Sequence, residues 1–224
     1  MNVGAPRPRA IVFDLDGTLA DTRGDIAQAC NHALTAVGRP VLSVDAVARF
    51  VGDGARLLVA RALGTSAEDP LAREAFEHFD AFYAAHAADL SGWMPGARES
   101  VDACRRHGVR VALATNKPRG ATLALVHALE LSSYLDAIVA GGDGPLKPDP
   151  APVLGALAPL GVSPADAWMV GDGPQDITAG RAAGVWTLGV LGGFATEGAL
   201  REAGPAWVLR SLRDFPELLD SVLS

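Results

Sequence analysis

The chain has 224 residues, 49% of them hydrophobic and 20% charged, which suits a globular protein with a sizeable core and excludes a disordered or fibrous one. A formal net charge of −7 with no run of Lys and Arg argues against a nucleic-acid partner. No apolar run approaches bilayer length, residues 1–10 carry prolines and arginines instead of an apolar leader, and Cys30 and Cys104 have no CxxC neighbour, so the expectation is a cytoplasmic chain with no membrane partner and two buried thiols.

In chain order, the first element is the apolar run Ile11-Val12-Phe13, a buried strand that ends in Asp14 and Asp16. Alternation in an extended chain lets both carboxylates point one way while Leu15 packs. Gly17 then permits a tight turn, and Thr18 adds a hydroxyl. The next segment reads as helices only. Asp25 is expected to cap a helix with the apolar face Ile26, Ala29, Ala33, Leu34 and Val37. Helical patterns follow over residues 44–51, 55–63 and 70–88, the last with Asp69 as cap and Pro70 in its first turn. Residues 22–90 contain no strand pattern, which predicts a helical insert between the first strand and the rest of an α/β chain.

Beyond Gly96 strands and helices alternate. Helix through Val101 and Cys104, strand 109–114 ending in Thr115-Asn116-Lys117, helix 120–129, strand 137–140, and a loop over 141–150 carrying Lys147 come first. Helix 151–160, strand 167–170 running into Gly171-Asp172-Gly173, helix 176–183, strand 185–190, a short strand at 207–209 and a helix over 212–219 complete the pattern. Alternation of this kind predicts a parallel sheet with helices on both faces and ligands outside the carboxyl ends of its strands. Asp14 and Asp16, Thr115 and Asn116, Lys147, and Asp172 all fall at such ends.

DLDGTLAD at residues 14–21 resembles motif I (DxDGT) of the haloacid dehalogenase superfamily. Thr115 in VALATNKP, Lys147 in LKPDPAP, and Asp172 with Asp176 in MVGDGPQDI resemble its motifs II, III and IV, and the helical insert resembles its C1 cap. In detail DLDGTLADT, FVGDGARLLVARAL, TNKP and KPDPAP are similar to phosphoglycolate phosphatases. The resemblance implies an α/β, Rossmann-like parallel-sheet core over residues 1–20 and 92–224 with an inserted all-helical cap over 21–91. It also implies Mg²⁺-dependent hydrolysis of 2-phosphoglycolate, a small-molecule phosphate monoester, through an aspartyl phosphate.

The chemistry of the residues agrees with those roles. An aspartate nucleophile divides a very slow hydrolysis into two steps, and Asp14 is the candidate. Mg²⁺ prefers oxygen ligands, here Asp14, the backbone carbonyl of Asp16, and Asp172. Asp176 is open between capping the following helix and an indirect metal role. Lys147 supplies a further positive charge, and Thr115, Asn116 and the turn at Gly17 and Thr18 are candidates for holding phosphoryl oxygens. Asp16 is the candidate acid and base for the leaving oxygen and the attacking water, a role that requires its environment to favour the protonated form. Arg23 and Arg56 are candidates for a substrate carboxylate, beside the glycines of the 51–54 loop. Other phosphatases acting on sugar phosphates or pyrophosphate, and a β-phosphoglucomutase-like phosphomutase, share this core. A dehalogenase needs no carboxylate at Asp16, and a phospho-accepting receiver module needs no helical insert.

Overall fold

The computed structural model describes residues 4–224. Its centre is a six-stranded sheet in the order β5-β4-β1-β6-β7-β8, built from β1 (Ala10–Phe13), β4 (Arg110–Pro118), β5 (Ala137–Gly141), β6 (Ala167–Gly171), β7 (Trp186–Val190) and β8 (Trp207–Leu209). Every pairing within it is parallel. A second ribbon joins β2 (Ala20–Asp21) to β3 (Gly92–Trp93) antiparallel, with Ala20 opposite Trp93 and Asp21 opposite Gly92.

The twofold alternation of the strands sorts their side chains onto two faces. Ile11 and Phe13 pack with Val111, Leu113, Trp168 and Val170 against helices α5 (Ala97–Arg106) and α10 (Phe215–Leu223). Ala10 and Val12 face Ala112, Ala114 and Met169 and the helices α7 (Ala151–Leu157) and α8 (Pro174–Ala183). Helices α6 (Arg119–Ala128) and α9 (Glu197–Glu202) complete the core. Both faces are covered, which is why the strands read as continuous apolar runs. Residues 22–90 form α1 (Arg23–Ala36), α2 (Val44–Ala48), α3 (Ala55–Leu63) and α4 (Pro70–His86), with a hydrophobic cluster of their own that includes Ile26, Leu34, Leu58, Phe79 and Tyr83. Cys30 and Cys104 are buried and unpaired, and no described helix is long and apolar enough to cross a membrane.

Several expectations shift. Asp25 does not cap α1: the helix starts at Arg23, and Asp25 is buried in its first turn. Its carboxylate accepts from the Leu90 N–H at 2.9 Å and the Ser91 hydroxyl at 2.5 Å, so it ties the start of the helical segment to its exit. Thr115, Asn116 and Lys117 lie inside β4 rather than after it, with a register irregularity against β5 between Ala114 and Pro118. Pro159 tightens the end of the 151–160 helix into a 3-10 turn, and Pro174 starts α8 two residues earlier than expected. Helix α9 was not expected at all.

Candidate functional site

Strand β1 is the point where the sheet order reverses, since the chain winds one way through β4 and β5 and the other through β6, β7 and β8. Open parallel sheets leave a crevice at such a point, beyond the carboxyl ends of the strands. A cavity of about 600 Å³ lies there, between the sheet edge and the inner wall of the helical segment. Asp14, Asp16, Thr115, Asn116, Lys147 and Asp172 all line it.

Two buried lysines organise the polar groups. The Lys147 ammonium donates to Asp14 Oδ1, Asp176 Oδ1 and the Ala114 carbonyl, each at 2.6 Å, which uses all three of its protons. Burial opposes its charge, but Asp14 and Asp176 outweigh that cost and raise its pKa. Lys117, 1% exposed in its side chain, donates to Asp16 Oδ1 at 2.9 Å and to the phenol oxygen of Tyr83 on α4. Asp16 also accepts from the Thr22 hydroxyl at 2.8 Å.

Asp14, Asp172 and Asp176 are all buried, and each offers an oxygen within 4.8 Å of the others. Burial chiefly raises the pKa of Asp14 well above the usual carboxylate range, against the pull of Lys147 and with the help of Asp176 and Asp172. Asp172 is pushed up to about 6, mainly by burial and Asp176, against hydrogen bonds from Phe194 and Thr18. Three carboxylates facing one ammonium leave a formal excess of two negative charges in a desolvated pocket. A hard divalent cation with oxygen ligands fits that donor set and that charge.

The surroundings of the trio are close-fitted. Thr18 Oγ1 donates to Asp172 Oδ1 at 2.9 Å, and the Phe194 N–H donates to Asp172 Oδ2 at 2.7 Å. Gly17 has φ +83°, and a Cβ there would stand 2.7 Å from Asp172 Oδ2 and 2.4 Å from the Phe194 ring. Both oxygens of Asp176 accept from protein donors, one from Lys147 and the other from the Gly173 N–H at 2.9 Å, so it both closes the start of α8 and braces Lys147. Of the two readings open in the sequence, the helix cap is the one these hydrogen bonds show.

Gly17 and Thr18, expected at the phosphate, lie outside the cavity lining, and three other candidates are committed to protein partners. Asn116 gives both amide protons to backbone carbonyls, those of Gly52 and Lys147 at 2.8 Å, and accepts from the Lys147 N–H, so it is a tether between loops and has no proton left for phosphate. Arg23 donates to the carbonyls of Gly192 and Gly193, both at 2.8 Å, pairs with Asp21 and lies over the ring of Phe194, so it is not among the residues lining this cavity. Arg56 is exposed and lies over the Phe76 ring at 4.5 Å, also outside the cavity lining. Thr115 is in place, 2% exposed, its hydroxyl accepting from the Lys117 N–H at 3.2 Å.

Lys117 and Tyr83 were not singled out in the sequence. The signal for Lys117 was available, because in an extended strand residues 115 and 117 share a face. Tyr83 carried none, since its spacing with Phe76 and Phe79 is that of an ordinary buried helix face.

Comparison with known proteins accords with this geometry. The sequence model of the haloacid dehalogenase-like hydrolases matches residues 11–190. The chain is 37% identical over 213 residues to phosphoglycolate phosphatase 1 of Pseudomonas aeruginosa, covering 93% of this chain and 78% of that one. It is 38% identical to a plasmid-borne phosphoglycolate phosphatase of Cupriavidus necator, covering 94% and 92%. Among solved structures, a predicted phosphoglycolate phosphatase from Haemophilus somnus superposes with a TM-score of 0.85 at 25% identity, over 95% of this chain and 98% of that one.

Proposed function

The chain belongs to the haloacid dehalogenase-like hydrolases, and from that premise we propose that it is a magnesium-dependent phosphatase that converts 2-phosphoglycolate to glycolate and phosphate through an aspartyl phosphate on Asp14. The observation that carries the reading is the division of labour between the two aspartates of β1's exit. Asp14 is held by Lys147 among buried carboxylates, and Asp16 is held apart by Lys117.

Asp14 Oδ1 is fixed by Lys147 at 2.6 Å, which leaves its other oxygen to attack phosphorus. Asp14, the carbonyl of Asp16, and Asp172 are the residues that would hold Mg²⁺, with Asp176 behind them. When bound, the ion neutralises the phosphoryl oxygens and so lowers the repulsion between an anionic nucleophile and an anionic ester. Lys147 adds fixed positive charge, and the Thr115 hydroxyl supports the phosphoryl oxygens without reorganising. Asp16 Oδ2, which neither Lys117 nor Thr22 occupies, is the oxygen that would hold the proton given to the departing glycolate oxygen and then take one from the water that hydrolyses the aspartyl phosphate.

Residues 21–91 act in this reading as a lid. Their inner wall, with Ile26, Leu58 and Phe79, lines the cavity and excludes water from it. Phosphate contacts are common to every monoester, so discrimination falls to the groups around the leaving oxygen. Relatives named phosphoglycolate phosphatase at 37% and 38% identity favour a two-carbon acid there. The test is a panel of phosphate esters with Mg²⁺. The reading expects the highest kcat/KM for 2-phosphoglycolate, and a sugar phosphate or pyrophosphate in first place overturns it.

A further inference from the structure

The polar groups of the cavity are not equally committed. Among the described cationic side chains that line it, Lys147 has all three N–H groups on protein acceptors. Arg61 is engaged by Asp53 and the Phe50 carbonyl, and Arg49 is exposed. Lys117 is different: it is buried, lines the cavity, and spends two of its three donors, on Asp16 and Tyr83. Tyr83 is its counterpart from the helical segment. The phenol oxygen accepts from Lys117, and its own proton is retained, because burial pushes the group up to about 12. One N–H of an ammonium and one phenolic O–H therefore stand side by side next to Asp16, in a cavity that Ile26, Leu58 and Phe79 also line.

We propose that Lys117 and Tyr83 together form the subsite that receives a carboxylate borne by the leaving group. The inference rests on the phosphatase reading above and deepens it by naming what recognises the acid. Asp16 must sit against the bridging oxygen of the ester, and in a glycolate leaving group the carboxylate is one carbon further on. A cation 2.9 Å from Asp16 is within that reach. Cation and hydroxyl together also match the two oxygens of a carboxylate, whereas a neutral alcohol leaving group would leave the third N–H of Lys117 and the phenol O–H unmatched. Because Tyr83 comes from α4 and Lys117 from β4, the subsite is complete only when the helical segment lies against the sheet.

The experiment compares kcat/KM for three esters, 2-phosphoglycolate, 2-phospholactate and ethyl phosphate, in the wild type, Lys117→Met, Lys117→Arg and Tyr83→Phe. Lys117→Met also frees Asp16 and slows every ester, so the ratio of each acidic ester to ethyl phosphate is the readout. That ratio is expected to fall about 100-fold in Lys117→Met and about 10-fold in Tyr83→Phe, mainly through KM, and to be partly restored in Lys117→Arg. Equal losses for all three esters would overturn the proposal, leaving both residues as supports for Asp16. A wild-type preference for 2-phospholactate that collapses in Lys117→Met upholds the subsite while rejecting 2-phosphoglycolate as the substrate. A preference for 2-phosphoglycolate that survives in the variants does the opposite, and no preference for either acid rejects both.

Discussion

The Lys147 side and the Lys117 side of the cavity use the same chemistry to different ends. Both place a buried ammonium against an aspartate from the loop after β1. On the Lys147 side every partner comes from the α/β core, every donor is used, and the neighbouring carboxylates still outnumber the cation. On the Lys117 side one partner is Tyr83, from the helical segment, and a donor remains. A saturated, over-anionic corner suits a fixed reaction centre that takes a metal, while an unsaturated corner shared between two parts of the molecule suits recognition.

The strongest way to break that contrast is at the aspartates. Asp14→Asn is expected to lower kcat by at least about 10⁴-fold while the circular dichroism spectrum stays native. Retained activity rejects Asp14 as nucleophile. Asp16→Asn is expected to cost about 10²- to 10⁴-fold and to show a burst of glycolate followed by slow phosphate release. An unchanged steady-state rate rejects its acid and base role.

The lysines sharpen the comparison through stability. Lys147→Met strands Asp14 and Asp176, both buried, and is expected to cost about 3–5 kcal/mol in urea unfolding of the metal-free protein. Lys117→Met strands one carboxylate, Asp16, whose side chain is 12% exposed, and the Tyr83 phenol oxygen, and is expected to cost about 1–3 kcal/mol. Equal losses would contradict the difference in saturation.

A smaller effect follows from the pKa of the acidic trio. In the folded, metal-free protein Asp172 titrates near 6 against an ordinary value of 3.8, and Asp14 is shifted the same way. Between those pH values the folded state holds protons that the unfolded chain has released. The contribution of Asp172 to stability is therefore greatest below about pH 4 and is lost as pH rises through 6, and Asp14 acts in the same direction. The rise in thermal midpoint on adding Mg²⁺ is expected to be larger at pH 7.5 than at pH 5, where protons compete for the same oxygens. Asp172→Asn is expected to flatten both trends. The smallest change is Asn116→Ala, which unties the Gly52 and Lys147 loops and is expected to cost about 1–2 kcal/mol.

What the sequence disclosed was what local rules govern. Asp14, Lys147 and Asp172 were legible because each follows an apolar strand, and strand ends of a parallel sheet share one edge. The helical segment was legible because residues 22–90 hold only helical periodicity. Long-range partners defeated the same reasoning. Asp25 obeys the local preference for a helix start, yet Leu90 and Ser91, far along the chain, claim its carboxylate. Asn116 has the chemistry to bind phosphate, but two backbone carbonyls take both its protons. Arg23 and Arg56 carried the right charge, and only tertiary packing placed one on the 192–193 carbonyls and the other on Phe76. Tyr83 looked like core because most of it is core, and its contact with Lys117, through the phenol oxygen and the ring face, is set by tertiary packing.

The central claim is that Asp14 carries the phosphoryl group between two chemical steps. Rapid acid quench of Asp16→Asn with 2-phosphoglycolate and Mg²⁺, followed by mass spectrometry of the peptides, tests it most directly. The account predicts one phosphoryl group on the peptide holding Asp14, absent from Asp14→Asn. Turnover with that peptide unmodified, or with the group on another residue, would contradict it.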